Sequence, residues 1–260
     1  MNANAFVDVH CHLLAGLDDG PATSAEALAM CRDAADHGTS VLAATVHQMG
    51  SHFHNSREVI LRATEKLAAE LLAHGIPVRV HPNAEWMIDS EWVEAPQRYM
   101  DSLLTINDNG RYALIEFPYH PPRHTALIVQ RLAERGIRPV LAHVDRFPGL
   151  LSYPVEVRRL IDEGFYIQIN ADAIDGRRGS PVRRASRTLL LSGLIHLVAS
   201  DGHDPIRRPP RLQTAFEVVK RWLGNTVADQ LFCFNPAALL EGRPLEIVAS
   251  ASWWRRFRRG

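Results

Sequence analysis

Nine side chains of nitrogen- or carboxylate-donor type punctuate the 260-residue chain: His10, His12, Asp19, His47, Glu85, Glu116, His143, Asp201 and His203. The first two flank Cys11 at the end of an apolar run, residues 6–9. Alternate side chains of an extended segment share a face, so His10 and His12 point one way and Cys11 the other. The turn Gly16-Leu17-Asp18-Asp19-Gly20 returns two carboxylates beside them, one to act as a donor and the other to cap the turn. Nitrogen and carboxylate donors suit manganese, iron or zinc, and disfavour copper(I) and iron–sulfur clusters. A catalytic zinc keeps about three protein ligands. Nine donors therefore predict a site of two or three divalent ions. Such sites clamp the attacking and leaving oxygens of a phosphoryl group and generate a hydroxide near neutral pH. Three divalent ions against Asp19, Glu85, Glu116 and Asp201 would leave a positive surplus, which a bridging hydroxide and a phosphate ester can absorb.

The elements that must position these donors follow one repeating phrase. A helix over residues 23–37 opens on Thr23 and Glu26 at capping-box spacing and stops at Gly38. An apolar strand, 41–45, then leads to His47. A second helix starts near Asn55, buries Ile60, Ala63, Leu67 and Leu71, and stops at Gly75. Strand 77–80 precedes Glu85, and strand 112–115 precedes Glu116. The helix 125–135 ends at Gly136 before strand 140–142 and His143. Strand 165–169 runs into Asn170, and strand 195–199 runs into Asp201 and His203. Helices alternating with short apolar strands imply a parallel sheet. Donors placed after nearly every strand imply that the strand ends converge on one mouth. The expectation is an α/β fold, a single (β/α)7 barrel with its metal site at the C-terminal ends of the strands; an open doubly wound sheet is the alternative. Three terminal helices, through residues 212–223, 226–231 and 235–240, are expected to cover the outside.

The totals set further bounds. Net charge is zero with 29 basic and 29 acidic residues, which leaves no global field to hold nucleic acid. Three cysteines without a C-x-x-C pair read as buried thiols. No signal-peptide pattern opens the chain, and no apolar run approaches the roughly 20 residues of a membrane span. A soluble cytoplasmic protein is expected, with residues 1–249 as the barrel and 250–260 as a basic aromatic tail. That tail, Trp253-Trp254-Arg255-Arg256-Phe257-Arg258-Arg259, reads as a solvated end or a weak contact with acidic lipid or a partner. The remaining histidines, His37, His52, His54, His74, His81, His120, His124 and His196, read as structural or solvated. Arg146, three residues past His143, and Arg207 or Arg208, just past His203, stand at the same mouth and offer planar forks for phosphate oxygens. The cluster Arg177, Arg178, Arg183, Arg184 and Arg187 reads as a solvated face, with guidance of a phosphorylated peptide as its alternative use.

Seven motifs, in order, carry a resemblance: Asp8-Val9-His10-Cys11-His12, the Gly16–Gly20 turn, Ala44-Thr45-Val46-His47, Ala84-Glu85, Leu114-Ile115-Glu116-Phe117-Pro118, Leu141-Ala142-His143-Val144-Asp145-Arg146 and Ala199-Ser200-Asp201-Gly202-His203. Together they resemble the PHP (polymerase and histidinol phosphatase) superfamily, and within it the bacterial capsular and exopolysaccharide protein-tyrosine phosphatases. The resemblance spans about residues 5–243. It implies a barrel, three metal ions (usually manganese) and hydrolysis of phosphotyrosine on a tyrosine kinase of polysaccharide assembly. By position, His10, His12, Glu116 and Asp201 would hold one ion. Glu116 would bridge to a second, shared with Glu85 and His143. Asp19, His47 and His203 would hold the third, while Arg146 and Arg208 grip the phosphate. Asp201 or a water would protonate the leaving group. The family often carries Thr-Pro-His-His where this chain has Thr45-Val46-His47-Gln48, and His-Pro-Glu-Arg where it has His143-Val144-Asp145-Arg146. No ligand position is lost, but substrate preference is open to change there.

A cysteine-based phosphatase is excluded, because that mechanism needs Cys and Arg separated by five residues. The sixth residue after Cys11, Cys31 and Cys233 is Leu17, His37 and Leu239. The rival readings are a phosphoesterase acting on a small phosphomonoester such as histidinol phosphate, a nuclease, or a non-catalytic metal-stabilised regulatory barrel.

Overall fold

The structure, a computed structural model, describes residues 5–48, 53–89, 92, 94–118, 121 and 125–246. The basic aromatic tail, His52, His120 and His124 lie outside the described residues. Among the described residues eight strands form: β1 (Phe6–His12), β2 (Thr39–Thr45), β3 (Arg79–Pro82), β4 (Glu85–Met87), β5 (Tyr112–Glu116), β6 (Arg138–Leu141), β7 (Tyr166–Asn170) and β8 (Leu197–Ala199). Every ladder between them is parallel, in two sheets ordered β1-β2-β3 and β4-β5-β6-β7-β8. The fold is therefore mixed α/β with parallel sheets.

The expected single ring of seven ladders is instead resolved into sheets of three and five strands. The gap between the sheets lies at residues 82–84, past the strand expected over 77–80, which forms as Arg79–Pro82 and is followed by the separate strand Glu85–Met87. Pro82 has no N–H to donate. Asn83 turns its amide to Val9 O and Thr45 Oγ1, each at 3.1 Å. The chain then resumes beside the end of β2, with Glu85 N donating to Val46 O at 2.9 Å and Gln48 N to Glu85 O at 3.1 Å. At the other margin, Asp201 N donates to His10 O and His12 N to Gly202 O, both at 2.8 Å.

Helices form where capping and apolar spacing agree. Ser24–Asp36 opens on the full Thr23–Glu26 capping box. Arg57–Ala73 is capped by Ser56, whose side chain accepts from Val59 N, one position after the expected Asn55 start. Asn55 instead donates to Leu17 O and His47 O, at 2.9 and 2.8 Å, tying two donor-bearing loops together. The terminal segment runs as Gln213–Leu223, Asn225–Asp229, a π-helical turn Gln230–Phe234, and Asn235–Leu240. No described helix is long and apolar enough to cross a membrane.

Two apolar clusters sort the strand faces. The larger joins one face to the helices and contains Cys11, Ala44, Ile115, Leu141, Ile167 and Val198. The smaller gathers Val7, Val9, Val41, Ala43, Tyr112, Leu114, Val140, Tyr166, Leu197 and Ala199. Continuing the period of two along this second face reaches His47, Glu116, Gln168, Asn170 and Asp201. One strand face thus passes from an apolar layer to a polar one toward its C-terminal end.

His196 lies buried behind β7, where its Nδ1 accepts from Ile167 N at 3.0 Å. Burial, aided by the charges of Arg158 and Arg138, lowers its pKa to about 4. The unfolded ring titrates near 6.5. Between these values only the unfolded chain binds the proton, so stability falls as pH drops from about 6.5 to about 4, by roughly 3 kcal/mol from this group. His196→Asn keeps an acceptor for Ile167. Its urea-unfolding free energy should fall less between pH 7 and pH 4.5 than that of the parent; parallel pH profiles would refute the assignment.

Candidate metal centre

All nine predicted donors meet at the polar end of the second face. His12, Asp19, His47 and His203 form one group whose ligand atoms lie within 4.8 Å of one another; His10, His12 and Asp201 form a second; His47, Glu85 and Glu116 form a third. His143 joins them through Nε2, 2.8 Å from Glu85 Oε1 and 3.4 Å from Glu116 Oε2.

Backbone irregularities aim several of these groups. Simple alternation along β1 cannot place Val7, Val9, His10 and His12 on one side. The register with β2 shifts between Asp8 and Cys11, and this bulge carries the face from Val9 to His10. His143 and Asp201 adopt positive φ, 33° and 54°, immediately after β6 and β8. Such angles are costly for non-glycine residues and cluster at functional sites. Gly20 has no side chain because a Cβ there would stand 2.9 Å from His12 Cβ and 3.0 Å from Asp18 Oδ1.

Hydrogen bonds fix the ring tautomers. Gln168 Oε1 accepts from His143 N at 2.7 Å, so this atom is the amide oxygen, and its 3.2 Å contact with His10 Nδ1 requires a proton on that nitrogen. Asp18 Oδ2 accepts from His12 Nδ1 at 2.6 Å and from His47 N at 3.0 Å. In its neutral, metal-binding form each ring presents a lone pair on Nε2, and the two Nε2 atoms face each other at 3.3 Å. Asp201 Oδ1 and Glu116 Oε1 are buried in the same space with no hydrogen-bond partner. Opposed lone pairs and orphaned carboxylate oxygens fit divalent cations, and the N,O donor set matches.

Electrostatics point the same way. Burial alone would lower the pKa of the histidines, yet Asp18 holds His12 up at about 9, Asp19 and Glu116 hold His47 at about 11, and Glu85 holds His143 at about 10. Burial raises Glu85, but His10 and His143 bring it well below the usual carboxylate range. A cage that attracts protons this strongly attracts divalent cations for the same reason.

The two turn carboxylates divide their roles. The Asp18 side chain is fully buried and clamps His12, while that of Asp19, 52% exposed, has Oδ1 3.4 Å from both His47 Nε2 and His203 Nε2. Groups that orient a ligand ring are worth about 10- to 100-fold in metal affinity. Asp18→Asn should weaken manganese binding by that factor, read by competition with a chelator; unchanged affinity would refute the orienting role.

Glu85 Oε2, rather than Glu116, stands beside His10 Nε2 and His12 Nε2, at 3.3 and 3.5 Å, while Glu116 faces His47 and His143. Arg146 donates to Asp201 Oδ2, as do Arg208 Nη2 and Asn170 Nδ2 at 2.9 Å each. Arg207 makes no such contact. Cys11 is buried on the opposite face, and burial pushes its thiol well above the usual range, which removes it as a nucleophile. Gln48, at a family departure, is a buried latch: its Oε1 accepts from Trp86 Nε1 at 2.6 Å and Leu104 N at 3.0 Å. Val144, at the other departure, sits in the apolar core. Gln168 carried no signal in the sequence, and Asn170 and Asn55 only those of a strand end and a helix start, because amides have no ligand-type signature and act through contacts across the fold. Arg183 and Arg187 lie over the Trp222 ring, Arg177 pairs with Asp175, and Arg178 pairs with Asp145.

The family model described as capsular polysaccharide synthesis, CpsB/CapC, matches residues 6–241. The chain belongs to the CpsB/CapC family. It is 32% identical over 227 residues to the tyrosine-protein phosphatase YwqE of Bacillus subtilis (strain 168), covering 87% of this chain and 88% of that relative. It is 30% identical over 249 residues to the tyrosine-protein phosphatase CpsB of Streptococcus pneumoniae, covering 90% and 98%. A crystal structure from work on YwqE and CpsB, described as unique metal-dependent tyrosine phosphatases, superposes with a TM-score of 0.85 at 31% identity, over 92% of this chain and 96% of the other. The CpsB/CapC match thus includes every donor of the cluster.

Proposed function

We infer that this chain is a metal-dependent protein-tyrosine phosphatase acting on a tyrosine kinase of capsular or exopolysaccharide assembly. The observation that carries the reading is the cluster itself, with the opposed lone pairs of His10 and His12 and the orphaned oxygens of Asp201 and Glu116. Membership of a family whose relatives bear that activity gives the cluster its substrate. We propose three ions, manganese before iron or zinc. His10, His12, Asp201 and Glu85 would hold one; Glu85, Glu116 and His143 a second; and Asp19, His47 and His203 a third. We propose also that the two sheets work as one distorted (β/α)7 ring, formed by the described residues of a domain that runs over 1–249. The backbone hydrogen bonds of Glu85 to the end of β2, and of Gly202 and Asp201 to β1, support it. Three buried thiols suit a reducing, cytoplasmic setting.

Bound divalent ions supply Lewis acidity and an activated water for attack on phosphorus. The chain supplies orientation and charge. Gln168 and Asp18 hold the His10 and His12 rings with Nε2 turned inward. Arg146 and Arg208, anchored on Asp201 and partly exposed, present their remaining N–H groups to the equatorial phosphate oxygens. Burial favours a proton on Asp201, but His10 and Arg146 outweigh it and hold the group below the ordinary carboxylate range. Asp201 is then an anchor, and the leaving phenolate takes its proton from water.

The test is chelator-stripped protein, with and without manganese, assayed on a phosphotyrosine peptide, histidinol phosphate and single-stranded DNA. Turnover of the peptide restored by metal is expected. Bound metal without hydrolysis of the peptide would overturn the reading.

A further inference from the structure

The chain between His203 and Arg208 forms a short projecting loop rooted in the site. His203 N donates to Arg208 O at 2.9 Å and closes its base. Asp204 Oδ1 accepts from Ile206 N at 2.8 Å and Arg207 N at 2.6 Å, which fixes the tip. Both roots belong to the cluster: His203 faces Asp19, and Arg208 holds Asp201. Whatever binds on the tip therefore lies beside a group held in the metal centre.

The tip presents two unused side chains. Ile206 is 85% exposed, the highest value among the large apolar side chains of the described residues. A single exposed isoleucine is ordinary, but contact with an apolar partner there would remove its surface from water at about 25 cal/mol per Å². Arg207 lines, with Ile206, a groove of about 360 Å³ that also includes Asp175, Arg177 and Arg211. Arg177 is paired with Asp175 at 2.8 Å and Arg211 with Asp33 at 2.6 Å. Among the described residues, no carboxylate stands within ion-pair distance of Arg207. The groove therefore has one guanidinium that is held in no ion pair, although its charge reaches the Asp204 carboxylate of the same loop, next to one apolar side chain without cover. The arginines over Trp222 are turned to that ring and do not share this role.

We propose that the loop Asp204–Arg207 is a subsite for the polypeptide flanking the phosphotyrosine, taking an acidic side chain on Arg207 and an apolar side chain on Ile206. The occupant is an extended segment of the phosphorylated protein. Its carboxylate meets the planar fork of Arg207, and its apolar residue covers Ile206. The loop thereby selects among phosphotyrosine proteins without touching the reacting phosphate. This inference rests on the phosphatase reading above.

The experiment compares steady-state hydrolysis of p-nitrophenyl phosphate and two phosphotyrosine peptides, one with Asp or Glu and Leu beside the phosphotyrosine and one with Ser and Gly there. Wild type, Arg207→Glu and Ile206→Ser are assayed as the full chain with manganese. The wild type should favour the acidic–apolar peptide through KM. Arg207→Glu should raise KM for that peptide about tenfold, as like charges oppose each other across the contact, and Ile206→Ser by about threefold. Neither variant should change kcat/KM for p-nitrophenyl phosphate. Equal KM values for the two peptides in the wild type would overturn the subsite. So would a parallel loss of p-nitrophenyl phosphate turnover in the variants, because the loop would then act on the integrity of the site. Failure of the wild type to hydrolyse any of the three substrates would instead overturn the phosphatase reading, and the subsite with it.

Discussion

Glu85→Gln is expected to lower kcat/KM toward a phosphotyrosine peptide by more than about 100-fold and to reduce bound metal by elemental analysis. Groups that merely orient a ligand are worth about 10- to 100-fold, and Glu85 is more central than any of them. Its two oxygens stand 3.3 Å from His10, 3.5 Å from His12, 3.5 Å from His47 and 2.8 Å from His143. Glutamine keeps the shape but removes the charge and turns an N–H donor toward ring nitrogens that should bind a cation. The fold should persist, because the apolar clusters do not include Glu85; circular dichroism checks this. Metal content and rate within about threefold of the parent would remove Glu85 from the centre of the site.

Arg146→Ala should give the opposite separation, with metal content retained and kcat/KM lower by about 10²- to 10³-fold, as for loss of one donor to a developing oxyanion. Arg208 and Asn170 remain on Asp201 Oδ2, at 2.9 Å each, so that carboxylate keeps its place. Arg146→Lys should recover only part of the rate, since an ammonium offers a point charge in place of a planar fork. A parental rate in Arg146→Ala would exclude a role in binding the phosphoryl group. Loss of metal in that variant would show that Arg146 serves Asp201 alone.

The alternating pattern of helices, glycine stops and apolar strands was legible because it depends on local periodicity and capping. The Thr23–Glu26 box forms as expected. The nine donors were legible for a related reason: residue types with metal chemistry recur after strands, and strand ends of a parallel sheet converge. The break at Pro82–Asn83 was less legible. Proline signals an interruption, but only Val9, Val46 and Thr45, distant in sequence, determine where the chain resumes. Alternation also misplaced nothing at His10 and His12 themselves, yet gave no hint of the bulge that brings them onto the face of Val7 and Val9.

By itself the sequence singled out the nine side chains that the structure brings together, the strand-and-helix order and the exclusion of a cysteine nucleophile, since each follows from residue type and spacing along the chain. Tertiary structure alone decided which of these side chains face one another. It put Glu85 rather than Glu116 beside His10 and His12, separated the clamping Asp18 from the facing Asp19, and held the rings through Gln168 and Asp18. The physical reason is that coordination is a matter of distances within a few ångströms between residues far apart in the chain, such as His10 and Asp201. Bulges, positive φ angles and buried hydrogen bonds set those distances, and none of these has a local signature in the chain.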